Sequence, residues 1–270
     1  MENKVVYGLP LMPRVKRLKR VILMGRFLAL MGSGENSPIM VTPHQTIIKA
    51  TGKDLNPINL STPYGFQENK DELSAKIEKY FEVNVGTKIT TSENLPSDID
   101  NSSWVFAGPG SPTYNLKIWK GAGVDKSLSN LLDRGSLVLA SAAAMSIGAK
   151  VMPVYEMYKV GEDPYWLDGL NILEAATGIK AAVIAHYNNA QGGTHDTRYC
   201  FAGQKRMYIL ESQLESEIAI LGIDEHTGIA FDLESKSAEV FGKGVITFKN
   251  GTETKTYENK AIIPISEFLI

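Results

Sequence analysis

Several large classes of protein are excluded by what this sequence lacks. Cys200 is its one cysteine in 270 residues, which rules out an internal disulfide framework and a cysteine-rich metal site and fits a cytoplasmic setting. No apolar run reaches the roughly 18 residues needed to span a bilayer, so no membrane partner is expected. Neither sign of charge predominates. Lys and Arg number 28 against 30 Asp and Glu, a net charge of −2, which leaves no electrostatic footprint for nucleic acid. The glycine-rich turn Gly32-Ser33-Gly34 lacks a third glycine, because Ser37 holds that position, so a dinucleotide fingerprint is not present. His186 and His195 stand nine residues apart, without compact metal-ligand spacing. No cofactor and no metal are therefore expected, and no internal repeat or low-complexity segment is present.

The residues present describe a globular α/β protein. Hydrophobic residues make up 43% and charged residues 21%, enough for one substantial core. Buried-strand patterns at Phe27–Met31, Ile58–Ser61, Trp104–Ala107, Leu137–Ala140, Ala181–Ala185 and Ile218–Ile223 alternate with helical ones. Those helical patterns include Val41–Thr51, the spacing of Leu73, Ile77, Tyr80 and Phe81, and Leu128–Asp133. The alternation predicts a mostly parallel sheet flanked by helices. Short strands at Ile229–Asp232, Ala238–Phe241 and Val245–Phe248 predict an appended antiparallel edge. Residues 26–270 are expected to form a single domain. Residues 1–25 read as a basic N-terminal arm, with Lys4, Arg14, Lys16, Arg17, Lys19 and Arg20 against Glu2; the arm lacks a signal-peptide pattern, and Met24 offers an alternative start. The aromatic and acidic stretch Pro153–Gly169 reads as a loop over the sheet edge.

The stretch Leu137–Gly148 organises the candidate site. Apolar β-type residues lead to Ser141, and helix formers follow. A serine at such a strand–turn–helix junction sits where open α/β sheets bind ligands, beside a helix end that favours negative charge. This is the pattern of a nucleophile elbow, normally written G-x-S-x-G, here with Leu139 and Ala143 at the glycine positions. The bland alternative makes Ser141 a small filler between a strand and a packed helix.

His186 and Glu225 each stand just after another predicted strand, and the ends of parallel strands converge on one rim. A serine hydroxyl needs a base to take its proton, and the base needs an orienting carboxylate. His195 competes with His186 for the first role; Asp196, Asp224 and His226 compete with Glu225 for the second. The amide of Ala142 and that of Gly110 or Gly108 are candidate oxyanion donors, whereas Pro109 has no N–H. Candidate substrate-binding residues are Tyr64, Ser111, Tyr114, Asn188, His195 and Arg198. Tyr64 and Phe66 could equally cap the core, Arg198, Lys205 and Arg206 could equally face solvent, and His44 is expected on the surface.

These residues resemble the cyanophycinase/dipeptidase E family of serine peptidases, within the class I glutamine amidotransferase-like fold. Ser141-Ala142-Ala143-Ala144 is similar to the family's elbow, and Ala107-Gly108-Pro109-Gly110-Ser111 to its glycine turn. His186 matches its post-strand histidine, Arg198 and Arg206 a later arginine pair, and Gly222-Ile223-Asp224-Glu225-His226-Thr227-Gly228 its most specific segment. The resemblance covers roughly Phe27 to Asn250. It implies a flavodoxin-like three-layer sandwich, Ser141 as nucleophile, His186 as base and an acyl-enzyme route to hydrolysis of a small or acidic peptide or amide. A second reading is a non-catalytic relative that binds a small ligand in the same rim pocket. A third, amide transfer by a cysteine, finds Cys200 after a polar loop rather than at an elbow. The expected partner is a small peptide or amide substrate, and a homodimer stays open.

Overall fold

A computed structural model describes residues 25–52, 55–92 and 94–269, so almost all of the basic arm lies outside the described residues. In chain order the strands are β1 (Phe27–Met31), β2 (Ile58–Leu60), β3 (Thr90–Ser92), β4 (Trp104–Ala107), β5 (Ser136–Ala140), β6 (Lys150–Val151) and β7 (Leu167–Asp168). Then come β8 (Ala181–Ile184), β9 (Ala219–Ile223), β10 (Thr227–Asp232), β11 (Ser237–Gly242), β12 (Val245–Asn250), β13 (Glu253–Glu258) and β14 (Ile262–Pro264). The helices are α1 (Val41–Thr51), α2 (Lys70–Tyr80), α3 (Ser97–Asp100), α4 (Pro112–Gly121), α5 (Val124–Leu131), α6 (Ala142–Ser146), α7 (Ile172–Thr177) and α8 (Gly203–Gln213).

The large sheet has eight strands in the order β14-β11-β10-β1-β5-β4-β2-β3. β1 to β5 run parallel, and β10 joins β1 antiparallel. Strand periodicity divides the apolar side chains between two faces. Leu28, Leu30, Leu137 and Leu139 meet α4, α5, α6 and α7 on one face, while Ala29, Met31, Val138 and Ala140 meet α1 and α2 on the other. Both faces of the central strands are covered, which explains their unbroken apolar runs.

The expected antiparallel edge divides in two. β10, β11 and β14 extend the large sheet, whereas β12 and β13 pair with β9 and β8 in a second, four-stranded sheet ordered β13-β12-β9-β8. Ala181 and Val183 of β8 and Leu221 and Ile223 of β9 pack into the same core as β1 and β5. On the outer side Ile184 and Ile220 pack on Met207 and Leu210 of α8.

Candidate active site

Ser141 links β5 to α6 with φ 51° and ψ −118°, a conformation that costs a non-glycine residue on the order of 1–3 kcal/mol. Strand β1 and helix α6 hold it there. Its N–H donates to the Met31 carbonyl at 2.9 Å, and its own carbonyl accepts from the Met145 N–H at 3.0 Å. The turn forms without either elbow glycine, because Leu139 and Ala143 both direct their side chains into the apolar core. Short α6 is fastened to α4 by Ser146 Oγ, which donates to the Ala142 carbonyl and accepts from Asn115 Nδ2. The Ser141 hydroxyl lies 2.9 Å from Nε2 of His186.

His186 follows β8, and its neighbour Tyr187 donates its N–H to the Ile223 carbonyl of β9. Nδ1 of His186 stands 3.2 Å from Oε1 of Glu225. Facing a carboxylate, Nδ1 carries the ring hydrogen, which leaves the Nε2 lone pair toward Ser141. Burial lowers the pKa of His186, and the hydrogen bond and negative charge of Glu225 oppose that shift. The imidazole is thereby neutral at pH 7.

Glu225 is itself fixed. Asn189 Nδ2 donates to Oε1 at 2.9 Å, and the Glu225 N–H donates to Asn188 Oδ1 at 2.8 Å. Two of its rivals are engaged elsewhere: Asp224 Oδ2 accepts from the Val245 N–H, and Asp196 pairs with Arg198. Gly32 lets this segment approach, since a Cβ there would stand 2.2 Å from the Asp224 carbonyl oxygen. The three side chains meet across two sheets, Ser141 at the end of the large one and His186 and Glu225 at the end of the small one. This corrects the expectation of a single shared rim; β8 and β9 pair with each other rather than with β5.

Two turns border Ser141. The amides of Gly108, Gly110 and Ala142 donate to no acceptor among the described residues. Gly110 sits against the Tyr64 turn, where a Cβ would stand 1.8 Å from the Pro63 carbonyl oxygen, and Ser111 donates its N–H to that same oxygen at 2.9 Å.

The other sequence candidates divide. Tyr64 is 2% exposed, with its hydroxyl against Asn59 Nδ2 and Ser74 Oγ; it is core rather than pocket wall, because those partners satisfy its hydroxyl inside. Ser111 is a buried helix cap whose Oγ accepts from the Tyr114 N–H. Tyr114 is half-buried and packs on exposed Phe66. His195 is exposed and stacks on Tyr158, away from the hydrogen bonds of Ser141. Arg198 is exposed and ion-paired with Asp196. His44 is fully buried, with Nε2 donating to the Glu35 carbonyl, contrary to its expected surface position. Sequence reading missed Asn189, whose signal was its place in the polar loop after β8. The stretch 153–169 contacts α4 through Thr113 and Glu156 and α8 through Trp166 and Leu210. Among the described residues no cluster of three His, Cys, Asp or Glu could hold a metal, and no helix is long and apolar enough to cross a membrane.

No protein-family model and no curated protein sequence matches the chain. Solved structures do. A peptidase from an acI-B1 Actinobacterium superposes with a TM-score of 0.69 at 20% identity, over 89% of this chain and 97% of that one. A protein named as a candidate peptidase E from Listeria monocytogenes EGD-e superposes with a TM-score of 0.53 at 17% identity, over 87% of this chain and 98% of that one. The chain has the flavodoxin-type α/β fold of these two proteins.

Proposed function

We propose that this chain is a serine-type hydrolase that cleaves a peptide or amide bond through an acyl-enzyme on Ser141. The observation that carries the reading is the strained Ser141 backbone with its hydroxyl 2.9 Å from His186 Nε2. A filler serine gains nothing from such a conformation, whereas an elbow nucleophile is lifted by it toward base and substrate. The peptidase names of two proteins sharing the fold add support for the bond type.

In the proposed reaction, Ser141 Oγ attacks the substrate carbonyl carbon while its proton passes to His186 Nε2. Glu225 stabilises the imidazolium through the Nδ1 hydrogen bond. The carbonyl oxygen becomes an oxyanion held by the Ala142 amide and that of Gly110 or Gly108. Collapse breaks the C–N bond, and His186 returns the proton to the departing amine. Water then attacks the ester by the same route, giving the free acid and restoring Ser141. A fluorophosphonate probe should label the protein, and Ser141→Ala should abolish labelling with little change in melting temperature. An unlabelled wild-type protein, under conditions where another serine peptidase reacts fully, would overturn the proposal.

A further inference from the structure

Phe66 and Tyr155 leave large aromatic side chains open, 48% and 38% exposed, and the proposed reaction uses neither. They come from distant parts of the chain, yet one polar clasp gathers them at the start of α4. Phe66 packs on Tyr114 with ring centroids 5.3 Å apart. Thr113, next to Tyr114, donates its Oγ1 hydrogen to Glu156 Oε2 at 3.0 Å, and Glu156 follows Tyr155. Single exposed apolar residues are ordinary, but grouped ones beside a reaction centre mark a contact site.

The group adjoins the proposed reaction centre from two directions. On one, β4 leads into Gly108–Gly110 and pairs with β5, which leads to Ser141. Asn115 of α4 donates to Ser146 of α6, and Gly110 abuts the Pro63 turn that continues to Phe66. On the other, burial and then the neighbouring Cys200 thiol raise the pKa of Tyr155, and Cys200 donates its N–H to the His186 carbonyl at 3.2 Å. A substrate carbonyl held by the Gly110 amide has its own residue's side chain one carbon away, at the start of α4.

The charges there disfavour an acidic side chain. Glu156 puts a carboxylate in the clasp, and cations on the adjoining segments are engaged. Arg198 donates from Nε and Nη2 to the two Asp196 carboxylate oxygens at 2.9 and 2.7 Å, Lys159 lies 4.7 Å over the Tyr158 ring, and Arg206 donates to the Ala202 carbonyl. We propose that Phe66, Tyr114 and Tyr155 form the subsite for the side chain of the residue whose carbonyl Ser141 attacks, and that this subsite takes an aromatic or large aliphatic side chain. This rests on the hydrolase reading above. Such a side chain is driven onto the rings by release of water, and a further aromatic ring can join them in the tilted arrangement that Phe66 and Tyr114 already adopt. The acidic substrate implied by the sequence resemblance is set aside, because it would meet Glu156 rather than a free cation.

The test compares phenylalanyl, leucyl, alanyl, aspartyl and lysyl 4-nitroanilides, each with free and with acetylated amine, so that only the acyl side chain varies within a series. Wild type should favour phenylalanyl and leucyl over alanyl by about tenfold or more in kcat/KM, with aspartyl below alanyl. Phe66→Ser should bring the phenylalanyl-to-alanyl ratio toward one, mainly through KM, and Phe66→Leu should retain most of it. A ratio unchanged in Phe66→Ser, or a wild-type preference for the aspartyl or lysyl substrate, overturns the subsite while leaving hydrolysis standing. Fluorophosphonate labelling of the wild type reports on Ser141 separately. Should labelling and turnover both fail, calorimetry of Phe-Ala and Asp-Ala dipeptides with Ser141→Ala and Ser141→Ala/Phe66→Ser still decides. Tighter Phe-Ala binding that the double variant loses supports the subsite; equal binding of the two dipeptides, or of neither, overturns it.

Discussion

Replacing Glu225 by Gln isolates the charge of the proposed orienting carboxylate. Both His186 Nδ1–H and Asn189 Nδ2–H donate to the same oxygen, Oε1. A glutamine that places its carbonyl oxygen there keeps both hydrogen bonds and loses only the negative charge. Two unit charges 3.2 Å apart interact by about 5 kcal/mol at an effective dielectric constant of roughly 20. Each side chain is 22% exposed, and the imidazolium charge spreads over the ring, so about 2–4 kcal/mol of transition-state stabilisation should be lost. At about 1.4 kcal/mol per factor of ten, kcat/KM falls roughly 30- to 1,000-fold. The pH profile gives a second, independent sign. Glu225 opposes the downward shift of the His186 pKa, so its neutralisation lowers that pKa further. Activity needs the neutral imidazole, and the acid limb of kcat/KM therefore moves to lower pH in Glu225→Gln. Stopped-flow fluorophosphonate labelling across pH 4–8 measures both effects without a known substrate. A labelling rate within threefold of wild type, or an acid limb displaced upward, would refute the account of Glu225.

Two further outcomes follow from the packing. Gly32→Ala places a Cβ against the Asp224 and Ile223 carbonyl oxygens; it should cost about 1–3 kcal/mol in chemical denaturation and slow Ser141 labelling by shifting Glu225. His44 has a folded-state pKa of about 4 against an ordinary 6.5, so the unfolded chain takes up its proton first as pH falls. Its stabilisation is complete above pH 6.5 and is lost on the way down to pH 4, about 3 kcal/mol over that window. His44→Gln should flatten unfolding free energy against pH in that interval, and an unchanged slope would contradict this.

Much of the fold was readable because its signals are local. The apolar runs at Phe27–Met31, Trp104–Ala107 and Ala219–Ile223 are strands, and Val41–Thr51 is a helix. β3, β13 and β14 were not read; Thr90–Ser92 and Glu253–Glu258 are polar or exposed, and sheet pairing rather than an apolar pattern holds them. His44 offered a signal that went unused. With Ile47 and Thr51 it forms the buried stripe of α1 at helical spacing, so periodicity could have placed it inside. The Tyr64 turn gave no such cue, because its burial depends on Asn59 and on Ser74 of α2.

By itself the sequence determined that a serine would stand between a buried strand and a helix, and that a histidine and a glutamate would each end another strand. Side-chain hydrophobicity and backbone preference act over a few residues, and those junctions depend on little else. Only the tertiary structure decided that the histidine and glutamate come from a second sheet, that His186 rather than His195 faces Ser141, and that Glu35 is enclosed beside Gly108. Those outcomes depend on which strands pair and on what each buried polar group finds when distant segments meet, and no local pattern in the chain encodes either.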